Sequence, residues 1–339
     1  MADGLIDKPY IYVELNNKDV STYITPYLTR FTYTDNDGLN KDEVDDIEIE
    51  FEDSQDIFKN NPPSRGSSIK VKFGYQDLIQ SSGIFFIDSY SYKNSRKGFL
   101  FTIKALATDV KASYRTIKTT AFENTSIKSI AEKIAKDNNY KLDFIGQNIS
   151  FNRITQQEKR DLQFLHFLCS NYGYTCKVSN KKIIIRNIQE VLKQSNVYIL
   201  KRNNIIDFEF EASSLFDSNI EVSYLDPDKK ELTKDKINTN VKHSGNTKKK
   251  NIRVENQNQA NMLAKAQKTI SELKEVKAKI LIEGNPNVYS TCNIGISGFG
   301  AFDRVYYIAC AKHIISREGY TTELDIYRNP YDTVKENQK

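Results

Sequence analysis

The sequence predicts a mainly β protein with a smaller α+β region inserted between two β regions. Apolar and polar residues alternate at period two from about residue 10 to 110 and again from 196 onward, as in strands with one solvated face. Between about 111 and 195 the apolar spacing becomes that of amphipathic helices. The 339 residues suffice for roughly two or three domains, each with its own core.

The N-terminal region is predicted to contain about six strands that form a small barrel or a sandwich. Apolar residues occupy alternate positions over 11–15, 47–51 and 69–73. Glycine, proline and asparagine residues supply turns between these strands. Two further strands are predicted over 83–92 and 99–106.

The middle region is predicted to combine two helices with a hairpin. Isoleucines over 127–134 form the stripe of the first helix. The second helix is predicted to begin at Thr155, which has the capping-box spacing to Glu158, and to end at Gly173. A hairpin is predicted over 174–186.

Strands return in the C-terminal region with a second acidic, alternating segment. Residues 205–213 look like residues 45–53, which indicates a faint internal repeat. The polar, lysine-rich residues 226–252 are predicted to form a mobile loop, and a helix is predicted over 257–273.

Four strands are predicted at the C-terminus. Gly284-Asn285-Pro286 cannot continue a strand, because proline lacks the backbone donor and Gly-Asn favours positive φ. Glycines at 298 and 319 separate the remaining strands. We therefore expect an antiparallel meander.

The order of these C-terminal pieces resembles the end of the phage late control D protein family, the baseplate hub proteins of contractile tails and related injection machines. The helix that precedes Gly173 is similar to the central helix of that family, and the pieces over 45–51 and 63–74 fit its first domain. The residues that carry the resemblance, read as structural, are Asp161, Leu162, Phe164, Leu165, Gly173, Gly284, Asn285, Pro286, Gly298, His313, Tyr320 and Thr322.

The resemblance implies a trimeric hub with two tube-like β-barrel domains and an inserted α+β domain per chain. The corresponding predicted domains are 1–110, 111–195 and 196–339. Six similar barrels in a ring would adapt a hexameric tail tube to a trimeric central spike. Because the chain ends about twelve residues after the last predicted strand, we expect the spike to be a separate protein.

The implied partners are further copies of the chain, the tail tube, the central spike, and the tape measure and wedge proteins. DNA is expected only as transiting cargo if the particle is a phage. The resemblance implies neither catalysis, nor a cofactor, nor a small-molecule substrate. It places the protein in the baseplate of a virion or tail-like particle that is assembled in the bacterial cytoplasm.

Candidate chemical sites have simpler interpretations. His166 and Cys169 would share a helix face with Cys176 nearby, but a zinc site needs further ligands. Cys169 is therefore interpreted as a core residue. His313 has no serine elbow beside it, so a catalytic triad is not predicted. No metal site is predicted.

The acidic strands carry one sharper hypothesis. If their polar faces point into a channel, negative charge would repel the phosphates of passing DNA. An outer solvated face is the alternative. The candidate channel-lining residues are Glu48, Glu50, Asp207 and Glu209.

Two other functions stay open. The first is a tail-associated peptidoglycan hydrolase that uses paired carboxylates. The second is a nucleic-acid-binding regulator, suggested by the net charge of +5 and the lysines at 248–250. Neither the cysteine spacing nor the N-terminus indicates secretion, and no apolar run is long enough to span a bilayer.

Overall fold

The computed structural model describes residues 8–39, 44–96, 98–109, 115–212, 219–226, 231–238, 247–250 and 254–332. The fold is mainly β, which confirms the predicted class. The strands are β1 Tyr10–Leu15, β2 Lys18–Asp19, β3 Leu28–Asn36, β4 Asp46–Glu52, β5 Ser68–Tyr75, β6 Leu78–Ser95, β7 Gly98–Leu106, β8 Lys118–Ser126, β9 Lys141–Ile145, β10 Ser150–Lys159, β11 Tyr174–Ser179, β12 Lys182–Asn187, β13 Asn196–Lys201, β14 Ile205–Ala212, β15 Asn219–Asp226, β16 Glu231–Asn238, β17 Thr247–Lys250, β18 Val276–Glu283, β19 Asn293–Ser297, β20 Val305–Ser316 and β21 Gly319–Arg328. The helices are α1 Ser21–Ile24, α2 Ile57–Asn60, α3 Ile127–Asp137, α4 Asp161–Asn171, α5 Ile188–Leu192 and α6 Gln257–Leu273.

One sheet dominates the fold and takes strands from both ends of the chain. Its order is β14-β18-β21-β20-β3-β4-β7-β6-β5-β1-β2, with β19 and β13 attached beside β20. The antiparallel pairing of β20 with β3 joins the two halves. The sheet is thus continuous between the first and last predicted domains, and the three-domain division stays a prediction.

The same four-strand unit occurs twice in this sheet. In chain order each unit contributes strands a, b, c and d, and in space they lie in the order a-b-d-c. The first unit is β3, β4, β6 and β7, and the second is β14, β18, β20 and β21. The junction between the halves joins strand c of the second unit to strand a of the first.

Irregularities in the strand pairing occur at matching places in both units. The last residue pairs of the hairpins β6–β7 and β20–β21 are Ser95 with Gly98 and Ser316 with Gly319. Each hairpin has a bulge the same number of residues before that last pair, between 87 and 89 and between 308 and 310. The a–b pairs share a bulge as well, after Leu28 in β3 and after Ile205 in β14. These shared bulges fix which residues are equivalent.

The apolar face of the sheet carries two hydrophobic clusters, one on each half. The first is built on residues such as Phe31, Ile49 and Phe101, and the second on residues such as Ile280 and Ile308. Period-two burial in β4 and β5 matches the alternation in the sequence.

The helical region between the halves has a separate core. Helices α3 and α4 pack with the strands β9, β11 and β12, and α6 adds Leu263 and Ala264 to the same cluster. The predicted first helix, the hairpin and the helix over 257–273 are confirmed.

The predicted start of the second helix at Thr155 is wrong. Residues 150–159 form strand β10, in which Thr155 pairs with Ala121 of β8, so the capping box with Glu158 does not form. The helix begins at Asp161 and ends just before Gly173, which has φ of +73°. The long-range pairing with β8 outweighs a local signal that is worth about 1 kcal/mol.

Three other expectations need correction. The C-terminal strands are not a simple meander, because β18 pairs with β21 and β19 pairs with β13 and β20. The predicted loop 226–252 contains β16 and β17, which pair with β15, while the rest of it lies outside the described residues. The two acidic strands over 45–53 and 205–213 are not equivalent in the structural repeat, because β14 occupies the same place in its unit as β3. Similarity between two acidic strands does not define their place in a sheet.

Candidate interaction site on the large sheet

The face of the sheet opposite the two hydrophobic clusters is polar and open. It holds depressions of about 970, 550 and 490 Å³. Lys312 lines the first and the third, so these two adjoin across the junction of the two halves.

Acidic and basic side chains alternate across neighbouring strands on this face. Such cross-strand pairs of opposite charge stabilise a sheet modestly and leave little net field. The pairs, with their N···O distances, are Lys104–Asp46 at 3.4 Å, Lys93–Glu50 at 3.4 Å, Lys277–Glu211 at 2.9 Å and Lys312–Glu323 at 3.5 Å.

The structure brings the four candidate channel-lining residues onto this one face. Glu48 and Glu50 line the first of these depressions, and Asp207 and Glu209 line the third. Their negative charge is interleaved with lysines, since Glu48 lies opposite Lys104 and Glu209 lies opposite Lys279. The lining of a channel by this face stays a prediction.

Two strand edges of the duplicated units are open within the described residues. Strand β14 pairs only with β18, and residues 89–95 of β6 pair only with β7. Exposed apolar residues lie on both strands. They are Ile206 and Phe208 on β14 and Tyr90 and Tyr92 on β6. Open edges with exposed apolar side chains are sites where another strand can pair.

The C-terminal motif residues meet in one buried cluster beside the junction. His313 Nδ1 lies 2.8 Å from the Tyr320 hydroxyl, and the backbone N–H of Asn285 donates to Thr322 Oγ1 at 3.1 Å. Position 284 has room only for glycine, because a Cβ there would lie 2.1 Å from the Tyr320 ring. The turn that ends β18 is therefore held against β20 and β21.

Burial determines the charge state of His313. Desolvation lowers its pKa from the ordinary value of 6.5 to about 4, against the opposing effect of the Asp35 carboxylate. Its ring also stacks on Tyr33 of β3, with ring centroids 5.8 Å apart. His313 is thus a neutral packing residue at the junction, and its motif role as a structural residue stays a prediction.

The other motif residues lie in three places. Pro286 lines a depression of about 510 Å³ that His313 also lines. Gly298 has φ of +92° and approaches Arg202, whose guanidinium lies over the Phe208 ring at 5.1 Å. In α4, Phe164 and Leu165 are buried and Leu162 is partly buried. Asp161, at the start of α4, accepts a hydrogen bond from Lys118 at 2.6 Å. Gly173, which follows α4, packs on Ala266.

The junction contains a buried ion cluster that the sequence patterns did not predict. Lys177 of β11 contacts Asp35 of β3 and lies 3.4 Å from Asp45, and Ser290 donates its backbone N–H to Asp35 at 2.7 Å. The Lys177 ammonium holds the pKa of Asp35 below its usual range, while burial raises that of Asp45 to about 7. No local pattern predicts contacts between residues so distant in the chain.

Cys169 and Cys176 are fully buried in the helical core. In the described part of the chain, no three His, Cys, Asp or Glu side chains are arranged to hold a metal ion. No helix found there has the length and apolar character needed to cross a membrane.

The fold is similar to that of phage tail proteins of known structure. A tail protein from Neisseria meningitidis MC58 matches with a TM-score of 0.73 and 13% identity, over 95% of this chain and 97% of that one. A 43 kDa tail protein of prophage MuSo2 from Shewanella oneidensis matches with a TM-score of 0.70 and 14% identity, over 95% and 98%. At such identities the likeness shows the fold alone.

Sequence comparison confirms the resemblance to baseplate hub proteins. A protein of Escherichia phage 186, named "Probable baseplate hub protein", is 25% identical over 179 residues, which are 52% of this chain and 44% of that protein. The match therefore covers less than half of that relative's length. The model of the family described as Alg8 N-terminal domain matches residues 55–317, and the chain belongs to this family.

Proposed function

We propose that the protein is a structural baseplate hub of a contractile phage tail or tail-like particle. In this role it forms a trimer that adapts the hexameric tail tube to the trimeric central spike. Its work is binding and force transmission rather than catalysis. The naming of the phage 186 relative supports the hub role.

The observation that carries the proposal is the duplicated four-strand unit. One chain contributes two equivalent units to a single sheet, through the pairing of β20 with β3. Three chains therefore supply six similar units while keeping threefold symmetry. A ring of this kind offers six quasi-equivalent faces to a tube and a true threefold axis to a spike.

The remaining partners follow from that position. We place the protein in the baseplate of a particle assembled in the bacterial cytoplasm, with tape measure and wedge proteins as neighbours. The polar face, with Glu48, Glu50, Asp207 and Glu209, is the channel lining in this proposal, and DNA passes only as cargo if the particle is a phage. If substituting these four with glutamine left infectivity and DNA release unchanged, the channel role would be lost.

The test of the proposed function is the native mass of the chain co-expressed with the spike protein of its gene cluster. The hub role predicts a species with three copies, 3 × 39.0 = 117 kDa, plus the spike. A stable monomer that ignores the spike would contradict it. A cell-wall zymogram and a salt-dependent DNA mobility shift would then test the hydrolase and nucleic-acid alternatives.

A further inference from the structure

Residues 35–38, at the end of β3, are the place where the helical region meets both halves of the sheet. From the helical region, Cys176 of β11 donates its backbone N–H to the Gly38 carbonyl oxygen at 3.3 Å. The approach is close, because a Cβ on Gly38 would lie 1.9 Å from the Cys176 carbonyl oxygen. From the second half, Ser290 donates its backbone N–H to Asp35 at 2.7 Å. Three parts of the fold therefore converge on this short segment.

One ammonium group serves two buried carboxylates at this point. Lys177 of β11 contacts Asp35 and lies 3.4 Å from Asp45. The three side chains are 13%, 6% and 2% exposed, in that order. Lys177 also donates to Ser290 Oγ at 3.1 Å, and Asp45 accepts the backbone N–H of Asn36 at 2.8 Å. The three side chains together are neutral only when one carboxyl group keeps a proton.

The proton belongs to Asp45. Burial opposes ionisation of Asp35, but the Lys177 ammonium and the hydrogen bonds from Ser290 hold the pKa of Asp35 below its usual range. Burial raises the pKa of Asp45 from 3.8 to about 7, against the attraction of Lys177 and with a further contribution from the charge of Asp35. Asp45 therefore gains or loses a proton near neutral pH.

Neighbouring groups with shifted pKa values do not titrate in the same range. Burial raises the pKa of the nearby tyrosines, raises that of Cys292 to about 11, and lowers that of His313 to about 4. Both carboxylates raise the pKa of Lys177 against the effect of its burial. Of these groups, Asp45 is the one whose pKa lies between 5 and 8. The charged and titratable groups that face Asp35 and Asp45 are Tyr33 and Asp37 at the end of β3, Lys177 on β11, Tyr289 and Cys292 between β18 and β19, and Tyr307, Cys310 and His313 on β20.

The helical region has a core that is separate from the core of the sheet. Its buried members come from residues 127–185 and 254–264, and none of them lies on a strand of the large sheet. The apolar contact between the helical region and the junction is a smaller cluster, in which Leu39 packs with Ile188 and Leu192 of α5. The attachment of the helical region therefore relies on this smaller cluster and on the ions around Lys177.

We propose that Lys177, Asp35 and Asp45 form a proton-dependent latch between the helical region and the junction of the sheet. The latch is closed when Asp45 carries a proton, because the three side chains are then neutral together. It weakens when the proton leaves, since two buried carboxylates then compete for one cation. This device goes beyond the proposed hub function and does not depend on it.

The direction of the pH dependence follows from the two states of Asp45. In the open state Asp45 is solvated and has its ordinary pKa of 3.8, whereas in the closed state its pKa is about 7. The full stability of the closed state is therefore present below pH 3.8 and is lost as the pH rises to about 7. Between pH 5 and pH 8 the open fraction should rise about 100-fold, since 7 − 5 = 2 units of this range lie above pH 5.

Amide hydrogen exchange of the full chain tests the latch. The Cys176 N–H is the reporter, because it is bound across the interface to Gly38. The ratio of its exchange rates in wild type and Asp45→Asn, taken at one pH, removes the intrinsic effect of pH on exchange. This ratio should rise about 100-fold from pH 5 to pH 8, because asparagine keeps the neutral form. Asp46→Asn is the matched control and should exchange like the wild type, since Asp46 pairs with Lys104 at 3.4 Å on the polar face.

A disulfide across the interface gives a second measurement. A Cβ on Gly83 of β6 would lie 3.5 Å from the Asn180 Cβ in the turn between β11 and β12, which is within the range of disulfides. In the oxidised variant Gly83→Cys/Asn180→Cys, exchange at Cys176 should lose its extra rise with pH. Reduction of the same variant should restore this rise. Any strain at position 83, where φ is +85°, is common to both forms.

Two results would overturn the latch. One is a ratio of wild-type to Asp45→Asn exchange that stays constant from pH 5 to pH 8. The other is an equal acceleration at Cys176 and in α3, which would mean that the chain unfolds as a whole and that the helical region does not detach. If Asp45→Asn does not fold, wild-type exchange at Cys176 relative to α3 at the two pH values gives the same answer. These measurements use the chain alone, so their failure would leave the hub proposal standing.

Discussion

The buried His313 should make the stability of the protein depend on pH between about 6.5 and 4. Its pKa is about 4 in the folded chain and 6.5 when unperturbed, a difference of 6.5 − 4 = 2.5 units. At 1.36 kcal/mol per unit, complete titration costs about 3 kcal/mol of unfolding free energy. The contribution is fully present above pH 6.5 and is lost as the pH falls towards 4, because the unfolded chain takes up the proton first.

The variant His313→Gln isolates this contribution from the titration of carboxylates. Glutamine stays neutral and can still hydrogen-bond the Tyr320 hydroxyl. The stability of the variant therefore lacks the pH dependence that comes from protonation of His313. Urea unfolding at pH 7.5 and at pH 4.5 gives the free-energy difference between wild type and variant at each pH. The advantage of the wild type should shrink by about 2 to 3 kcal/mol at the lower pH.

A difference between wild type and variant that stays constant from pH 7.5 to 4.5 would refute the reasoning. It would mean that His313 keeps an ordinary pKa and that water or a carboxylate reaches its ring. If the variant fails to fold, the ring resonances of the three histidines supply the same answer. One of them should then titrate near pH 4 and not near 6.5.

Three further substitutions test individual contacts by urea or thermal unfolding. Gly284→Ala should cost about 1 to 3 kcal/mol, because its Cβ would lie 2.1 Å from the Tyr320 ring; an unchanged melting temperature would contradict this contact. Lys177→Met should cost about 3 to 5 kcal/mol, since it leaves buried carboxylates without their cation; a loss below about 1 kcal/mol would show that water reaches the cluster. Burial raises the pKa of Asp45 from 3.8 to about 7, so ionisation of Asp45 lowers the stability of the wild type as the pH rises through this range. Asp45→Asn should therefore leave the stability nearly unchanged at low pH and increase it above pH 7. A variant that is less stable than the wild type at pH 8 would contradict the raised pKa.

Local patterns predicted the strands well and their partners poorly. The alternation over 47–51 and 69–73 marks β4 and β5 because each strand has one buried face. Alternation says nothing about neighbours, so the C-terminal strands were expected in a meander, whereas β18 pairs with β21. The false helix start at Thr155 has the same origin, since β8 lies outside any local window.

The candidate site shows the same division. Period two puts Glu48 and Glu50 on one face of β4, and Asp207 and Glu209 on one face of β14, and in the structure these residues line depressions on the polar face of the sheet. Their role as channel lining stays a prediction. Their balance by lysines depends on cross-strand register, which no single strand encodes. The sequence patterns also do not predict the cluster of Asp35, Asp45 and Lys177, because its members come from separate parts of the chain.

The two units have diverged where their surroundings differ. At the internal junction, strand a carries Asp35, which binds Lys177, and strand c carries the buried His313, whose ring is hydrogen-bonded to Tyr320. The junction therefore buries polar groups whose desolvation is offset by partners. At the open edges the equivalent positions hold Ala212 and Tyr92. Alanine and tyrosine tolerate contact with water, so neither position depends on a buried partner. An exact repeat of the junction residues would place a carboxylate at the edge of β14, where a strand that covered this edge would have to desolvate it.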